Sequence, residues 1–163
     1  MKTKIGTSGY ISAWIANKED DCWIYKNLFH LCKNLVPTTA RDWIHAQLYT
    51  NTVQANATIG ANKVAVSETT DVPDESWTTL HGEITTGNLA RQAASPAPTH
   101  IAGTNVSIIE TTWTPSSSFP NVQVIGLFNA TSGGIPAHIG RFDQIASVVS
   151  GQAFRALSTI NHG

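Results

Sequence analysis

Apolar and polar positions alternate with a period of two along most of the second half of the chain, the spacing of β-strands. The clearest run is Asn121 to Phe142. Within it Val122, Val124, Gly126 and Phe128 alternate with Gln123, Ile125, Leu127 and Asn129. Both sets are apolar over Val124–Phe128, which predicts a strand covered on both faces. Thr131-Ser132-Gly133-Gly134 supplies two adjacent glycines for the positive φ of a reversing turn. Ile135–Phe142 is the returning strand, with Pro136 near its start, where a missing N–H matters least.

The same pattern predicts strands at Lys63–Ser67, Asn105–Trp113, Ile145–Val149 and Phe154–Ile160. In the second of these, Val106 and Ile108 fall on one face and Ile109, Thr111 and Trp113 on the other. Thr86-Gly87-Asn88 and Ser150-Gly151 read as turns. Gln92–Gly103, with Pro96 and Pro98, reads as extended edge structure or a loop. The total is six or seven strands.

Helical spacing is clear in one place. Thr39 followed by Asp42 resembles a capping box, and Ala40, Trp43, Ile44, Ala46 and Leu48 then recur on one face up to about Tyr49. Ahead of it, residues 1–36 carry Tyr10, Trp14, Trp23, Tyr25 and Phe29 around the charged patch Lys18-Glu19-Asp20-Asp21. Asp20 or Asp21 is placed to cap a short helix over Cys22–Lys33. The predicted architecture is mainly β: an antiparallel β-sandwich over residues 37–163 with one N-terminal helix, preceded by an extended aromatic N-terminal arm over residues 1–36. Trp14, Trp23, Tyr25 and Phe29 are the candidate partner-binding residues, because large aromatics dominate interface anchors.

Composition narrows the function. Of the 163 residues, 13% are charged, against about 25% in a typical soluble domain. Between Gln92 and Gly140 the one charged residue is Glu110. Hydroxyls and amides therefore carry the solvated surface, which suits faces that end up covered by neighbouring subunits, since nothing charged must be desolvated there. A formal net charge of −1 with no basic run gives no footprint for nucleic acid or anionic lipid. No apolar run approaches the roughly 20 residues of a membrane span, and MKTKIGTSGY lacks the apolar core of a signal peptide. The expectation is a protein kept inside the cell until it is assembled into something. Cys22 and Cys32 read as two reduced thiols rather than a disulfide or metal ligands.

Chemistry is sparse. Phosphate loop, dinucleotide fingerprint, nucleophile elbow and HExxH motifs are all absent. The histidines stand singly, and although His81 with Glu83, or His138 with Asp143, can be drawn as acid/base pairs, nothing in the sequence makes them converge. The acidic loop Glu68–Ser76 lacks the regular oxygen spacing and glycine of a calcium loop; Trp77 and Leu80 are expected to anchor it to the core. Glu83 and Arg91, flanking a glycine turn, read as an internal ion pair. No catalytic, cofactor-binding or metal-binding residue is assigned, and the expectation is a non-enzyme.

Several segments, in order, resemble small tailed-bacteriophage virion structural proteins. They are Asn34–Ala40 (NLVPTTA), Asn62–Ser67 (NKVAVS), Leu80–Arg91 (LHGEITTGNLAR), Val124–Ala130 (VIGLFNA) with Ser132-Gly133-Gly134, and Arg141-Phe142. The chain departs from that pattern at Ala65-Val66-Ser67-Glu68-Thr69, where the family carries a glycine-containing strand, and residues 1–33 lie outside the match. The family spans head decoration, head fibre and tail proteins. The resemblance implies a non-enzymatic virion component, made in the host cytoplasm and assembled there, whose partners are the major capsid protein or other virion proteins. A capsid decoration (cement) protein acting as a homo-oligomer, a trimer before others, is the first expectation. The alternative is a tail or neck component, an adaptor or fibre, including a receptor- or glycan-binding module with Trp77 or Trp113 as a sugar platform.

Overall fold

The computed structural model describes residues 8–19, 22–33, 37, 39–40, 60–100 and 106–161. Nine strands run through them: β1 (Ser8–Glu19), β2 (Cys22–Lys33), β3 (Lys63–Ser67), β4 (Gln92–Ala93), β5 (Thr99–His100), β6 (Val106–Trp113), β7 (Phe119–Phe128), β8 (Pro136–Val148) and β9 (Ala153–Asn161). They form two sheets, in the orders β2-β1-β9-β6-β5 and β4-β3-β7-β8, and every strand pair is antiparallel. One hydrophobic core joins the two. Val64, Val66, Val122, Ile125, Leu127, Phe142, Ala146 and Val148 enter it from the second sheet, and Ile109, Trp113, Phe154, Ala156 and Ile160 from the first. The expected antiparallel β fold is what the chain adopts.

The apolar spine at Val124–Phe128 is explained by a second, smaller core on the outer face of the β3-β7-β8 sheet. Ala65, Val124, Phe128 and Ile139 face outward, and Trp77 and Leu80 cover them. Alternation along β7 is not continuous, however. Val122 and Ile125 point into the main core while Val124 points out, because the register slips between Val122 and Val124. Such a bulge re-aims the side chains that follow it. The turn after β7 forms as expected, with Gly133 at φ 58° and Gly134 at φ 76°.

Several expectations are corrected. β8 runs unbroken from Pro136 to Val148, so Ile145–Val149 is its continuation rather than a separate strand. Cys22–Lys33 is strand β2, not a short helix. Within the stretch expected to form the arm, β1 pairs with β2 and, over Ser8–Ala16, with β9. Of the helix expected to reach Tyr49, Pro37, Thr39 and Ala40 are described; Ala40 N donates to Pro37 O at 3.1 Å. Asp42, the partner expected to close the capping box with Thr39, lies outside the described residues. Residues 41–59, including Trp43, Ile44, His45 and Leu48, lie outside the described residues.

Two strand edges are short. β4 and β5 have two residues each, and the segment between them crosses from one sheet to the other. It is held by Ala94 N to Asn62 O and Ser95 N to Glu110 O, both 2.8 Å. Gln92 Nε2 adds bonds to Thr111 Oγ1 and Thr112 O, each 3.0 Å. Short edge strands leave little unpaired backbone to template unwanted pairing.

Candidate functional site

Three features outside the core bear on function: a strap across the outer face of one sheet, an arginine clamp beside it, and a group of loops at one end of the fold. The strap is residues 68–83. It leaves β3 at Ser67, whose Oγ donates to His81 O at 2.5 Å and accepts from Thr69 N at 2.9 Å. Asn121 N donates to Glu68 Oε1 at 3.0 Å, and Arg141 Nη1 donates to Thr70 O at 2.9 Å. Trp77 and Leu80 then drop onto the sheet, as expected from the sequence.

His81 lies flat on Trp77, with ring centroids 3.9 Å apart, and its Nδ1 is 3.0 Å from Asp71 Oδ2. That hydrogen bond to His81 holds the Asp71 carboxyl below its ordinary value of 3.8. The Asp74 carboxyl is likewise lowered, first by the Ser76 side chain and then by the Ser76 backbone, whose N donates to Asp74 Oδ1 at 2.8 Å. Asp71 and Asp74 are thus engaged within the strap itself. No group of three or more metal-ligating side chains occurs among the described residues.

The clamp centres on Arg91. Its Nε and Nη2 donate to the two carboxylate oxygens of Glu83 at 2.9 and 2.5 Å, and Nη1 donates to Ala130 O and Gly133 O at 3.0 and 2.6 Å. The guanidinium also lies 3.6 Å over the Phe128 ring. The ion pair read from the sequence is therefore formed, and it ties the end of the strap to the β7–β8 turn. His81 and Glu83 do not form the acid/base pair that can be drawn for them, since each has another partner. His138 is buried while Asp143 is exposed.

At the far end of β7, three loops come together: Thr85–Asn88, Thr114–Ser118 and Val149–Gln152. Ser116 N donates to Gly87 O and Gly151 N to Pro115 O, both at 2.8 Å, while Ser150 N donates to Ser118 Oγ at 3.1 Å. Gly87 sits at φ 62° directly on Phe119, where a Cβ would fall 2.7 Å from the ring. These loops hold no charged residue, and most of their positions are exposed. Val149 (45%) and, on β8, Ile145 (58%) are two of the three exposed large apolar side chains among the described residues. Sequence reasoning saw that Glu110 is the one charged residue between Gln92 and Gly140 but had no means of joining the uncharged part of that stretch to residues 85–88 and 149–152.

The predicted partner-binding residues lie on the β1–β2 hairpin. Register pairs Trp14 with Asn27, Tyr25 with Ala16 and Trp23 with Lys18, so Trp14, Trp23 and Tyr25 belong to one alternating set. A register shift between Ala13 and Trp14 moves Phe29, opposite Ala13, to the other. The structure thus brings three of the four together along one backbone face. Trp77 and Trp113, the candidate sugar platforms, are 6% and 2% exposed, and Trp113 Nε1 donates to Ala90 O at 2.9 Å. Comparison with protein-family models, with curated proteins and with solved structures finds no match to this chain.

Proposed function

We propose that this chain is a bacteriophage virion structural protein, specifically a capsid decoration (cement) protein that binds the outer shell and stabilises it. The observation that carries the reading is the rigid, exposed and charge-free loop end at Thr85–Asn88, Thr114–Ser118 and Val149–Gln152. A surface of hydroxyls, amides and a few apolar side chains has little to desolvate on contact. Because its loops are already cross-bonded, little conformational entropy is lost when it is covered. Repeated over many symmetric copies, such modest contacts add to a strong hold. The ordered resemblance in the sequence supports the same reading, and the ionisable groups of the strap and clamp are used internally rather than held ready for chemistry.

The partner surfaces are the loop end and the hairpin face carrying Trp14, Trp23 and Tyr25. Deleting residues 1–33 would strip two strands from β9 and so cannot separate docking from folding; point substitutions can. The burial of Trp77 and Trp113 weighs against the glycan-binding alternative. The experiment is add-back: particles lacking this protein are heated with and without the purified chain. Cement activity raises the temperature at which the shell ruptures, and a rupture temperature unchanged by saturating protein rejects it.

A further inference from the structure

Both ends of the strap meet at one point. Ser67 and Glu83 face each other across an antiparallel bridge, and Ile84 N donates to Val66 O at 2.9 Å. Ser67 Oγ donates to His81 O, and Arg91 holds Glu83 from the far side. Between these fastenings residues 68–80 leave the sheet and return, with Gly82 at φ 58° completing the return. A surface segment of this length, closed at its base and packed by its own side chains, is an Ω-loop.

The body of the loop is held far less firmly than its base. Of residues 68–80, Trp77 and Leu80 alone are buried. They pack with Ala65, Val124, Phe128 and Ile139 in the small outer cluster, which is separate from the main core. The bonds from Asn121 N to Glu68 Oε1 and from Arg141 Nη1 to Thr70 O add to that hold. Against it stand the carboxylates of Glu68, Asp71, Asp74 and Glu75, crowded into one short stretch, where like charges repel.

A segment whose few buried contacts lie apart from the main core can open while that core stays closed. We propose that residues 68–80 are such a unit, a flap that lifts from the sheet about the Ser67–Glu83 base while both sheets remain folded. Lifting uncovers Ala65, Val124 and Ile139, and Arg91 stays over Phe128. The chain therefore keeps an apolar sheet face in reserve beneath the strap. The inference stands independently of the cement reading.

The test is thiol labelling of a cysteine placed beneath the flap. Ala65 lies there, and Ala156 lies in the main core, 0% and 1% exposed. In a chain carrying Cys22→Ser and Cys32→Ser, the Ala65→Cys and Ala156→Cys variants are each treated with a small disulfide reagent in urea below the unfolding transition. Ala65→Cys should label at least roughly tenfold faster, and with a weaker dependence on urea, because lifting the flap exposes less surface than unfolding does. Adding Ile160→Val, which trims the main core, should speed labelling of Ala156→Cys by roughly two- to tenfold and leave that of Ala65→Cys unchanged. Equal rates with equal urea dependence overturn the proposal, as does an Ile160→Val change that speeds both alike. The parent chain gives a second reading should a cysteine variant misfold. There the Trp77 amide, bonded to Asp74 O at 3.1 Å, should exchange with the same weak urea dependence, and exchange that follows global unfolding overturns the proposal too.

Discussion

Arg91 and Glu83 form a two-point ion pair on the outer face of the β3-β7-β8 sheet, with side chains only 6% and 17% exposed. Phe128 beneath the guanidinium and the carbonyls of Ala130 and Gly133 beside it complete the surroundings. The pair joins the strap, which ends at Glu83, to the β7–β8 turn.

A buried pair of this kind is worth little over an apolar replacement, but breaking it strands a charge. Glu83→Gln or Arg91→Ala should each destabilise the fold by about 3 kcal/mol in denaturant unfolding. The double replacement Glu83→Leu with Arg91→Met should cost clearly less than the two single changes added together. Additive losses would mean that the two residues act independently.

Gly126 faces outward on β7, and a Cβ there would fall 2.6 Å from the Phe128 ring. The ring folds back over this glycine to reach its place under Arg91. Gly126→Ala must push it away, and overpacking of this kind costs about 1–3 kcal/mol. A thermal shift confined to Gly126→Ala and absent from Gly133→Ala would not separate packing from φ. The informative comparison is Gly126→Ala with Phe128→Leu, where the smaller side chain should recover part of the loss.

Ser158 lies in the main core on β9, 1% exposed, and its Oγ has no hydrogen-bond partner among the described residues. A buried hydroxyl without a partner opposes folding. Ser158→Ala should therefore leave stability unchanged or raise it by up to about 1 kcal/mol. A clear loss of stability would reveal a bond made by that hydroxyl. Thr111, equally buried, is the contrast: it accepts from Gln92 and donates to Ala93 O, so Thr111→Val should destabilise.

The strap should loosen in acid. Asp71 titrates below its ordinary 3.8 because of His81, so its ionised form is favoured by folding. That contribution is present above the unfolded value and disappears as pH falls through the lowered folded one. Amide hydrogen exchange across residues 68–82 should therefore quicken below about pH 4. In Asp71→Asn that acid-dependent component should vanish. Equal acid sensitivity in parent and variant would assign the effect elsewhere.

Cys22 and Cys32 stand ten positions apart on the same strand, roughly 33 Å at the rise of an extended chain. A disulfide needs Cα atoms within about 7 Å. Both thiols should alkylate in denaturant without reductant. A monomer that resists alkylation at both would contradict β2.

How much of this was legible beforehand follows from range. The strands with a local signature, Lys63–Ser67 and Val122–Phe128 above all, were readable because period-two patterning and glycine turns are short-range facts. That both faces of β7 are covered was also readable from Val124–Phe128, and Trp77 and Leu80 were expected to anchor the acidic loop to the core. That they land on the outer face of β7 was not readable, because they lie some fifty positions upstream. The bulge at Val122–Val124 was hidden for a related reason, since a slip of register changes which face a residue joins without changing its type. Cys22–Lys33 misled because a mixed sequence next to Asp20 and Asp21 satisfies helix-capping rules, while pairing with β1 is decided by tertiary contacts. Glu83 and Arg91 were read correctly as partners because opposite charges flanking a tight turn are brought close by the turn itself.

The central claim is tested most directly by counting this protein in purified virions, by quantitative mass spectrometry against the major shell protein. The account predicts copies on the order of hundreds per particle, in fixed ratio to the shell subunits, as repeated shell symmetry requires. About a dozen copies or fewer would place the chain at a single vertex or on the tail and contradict the cement function, and its absence from particles would contradict the virion role altogether.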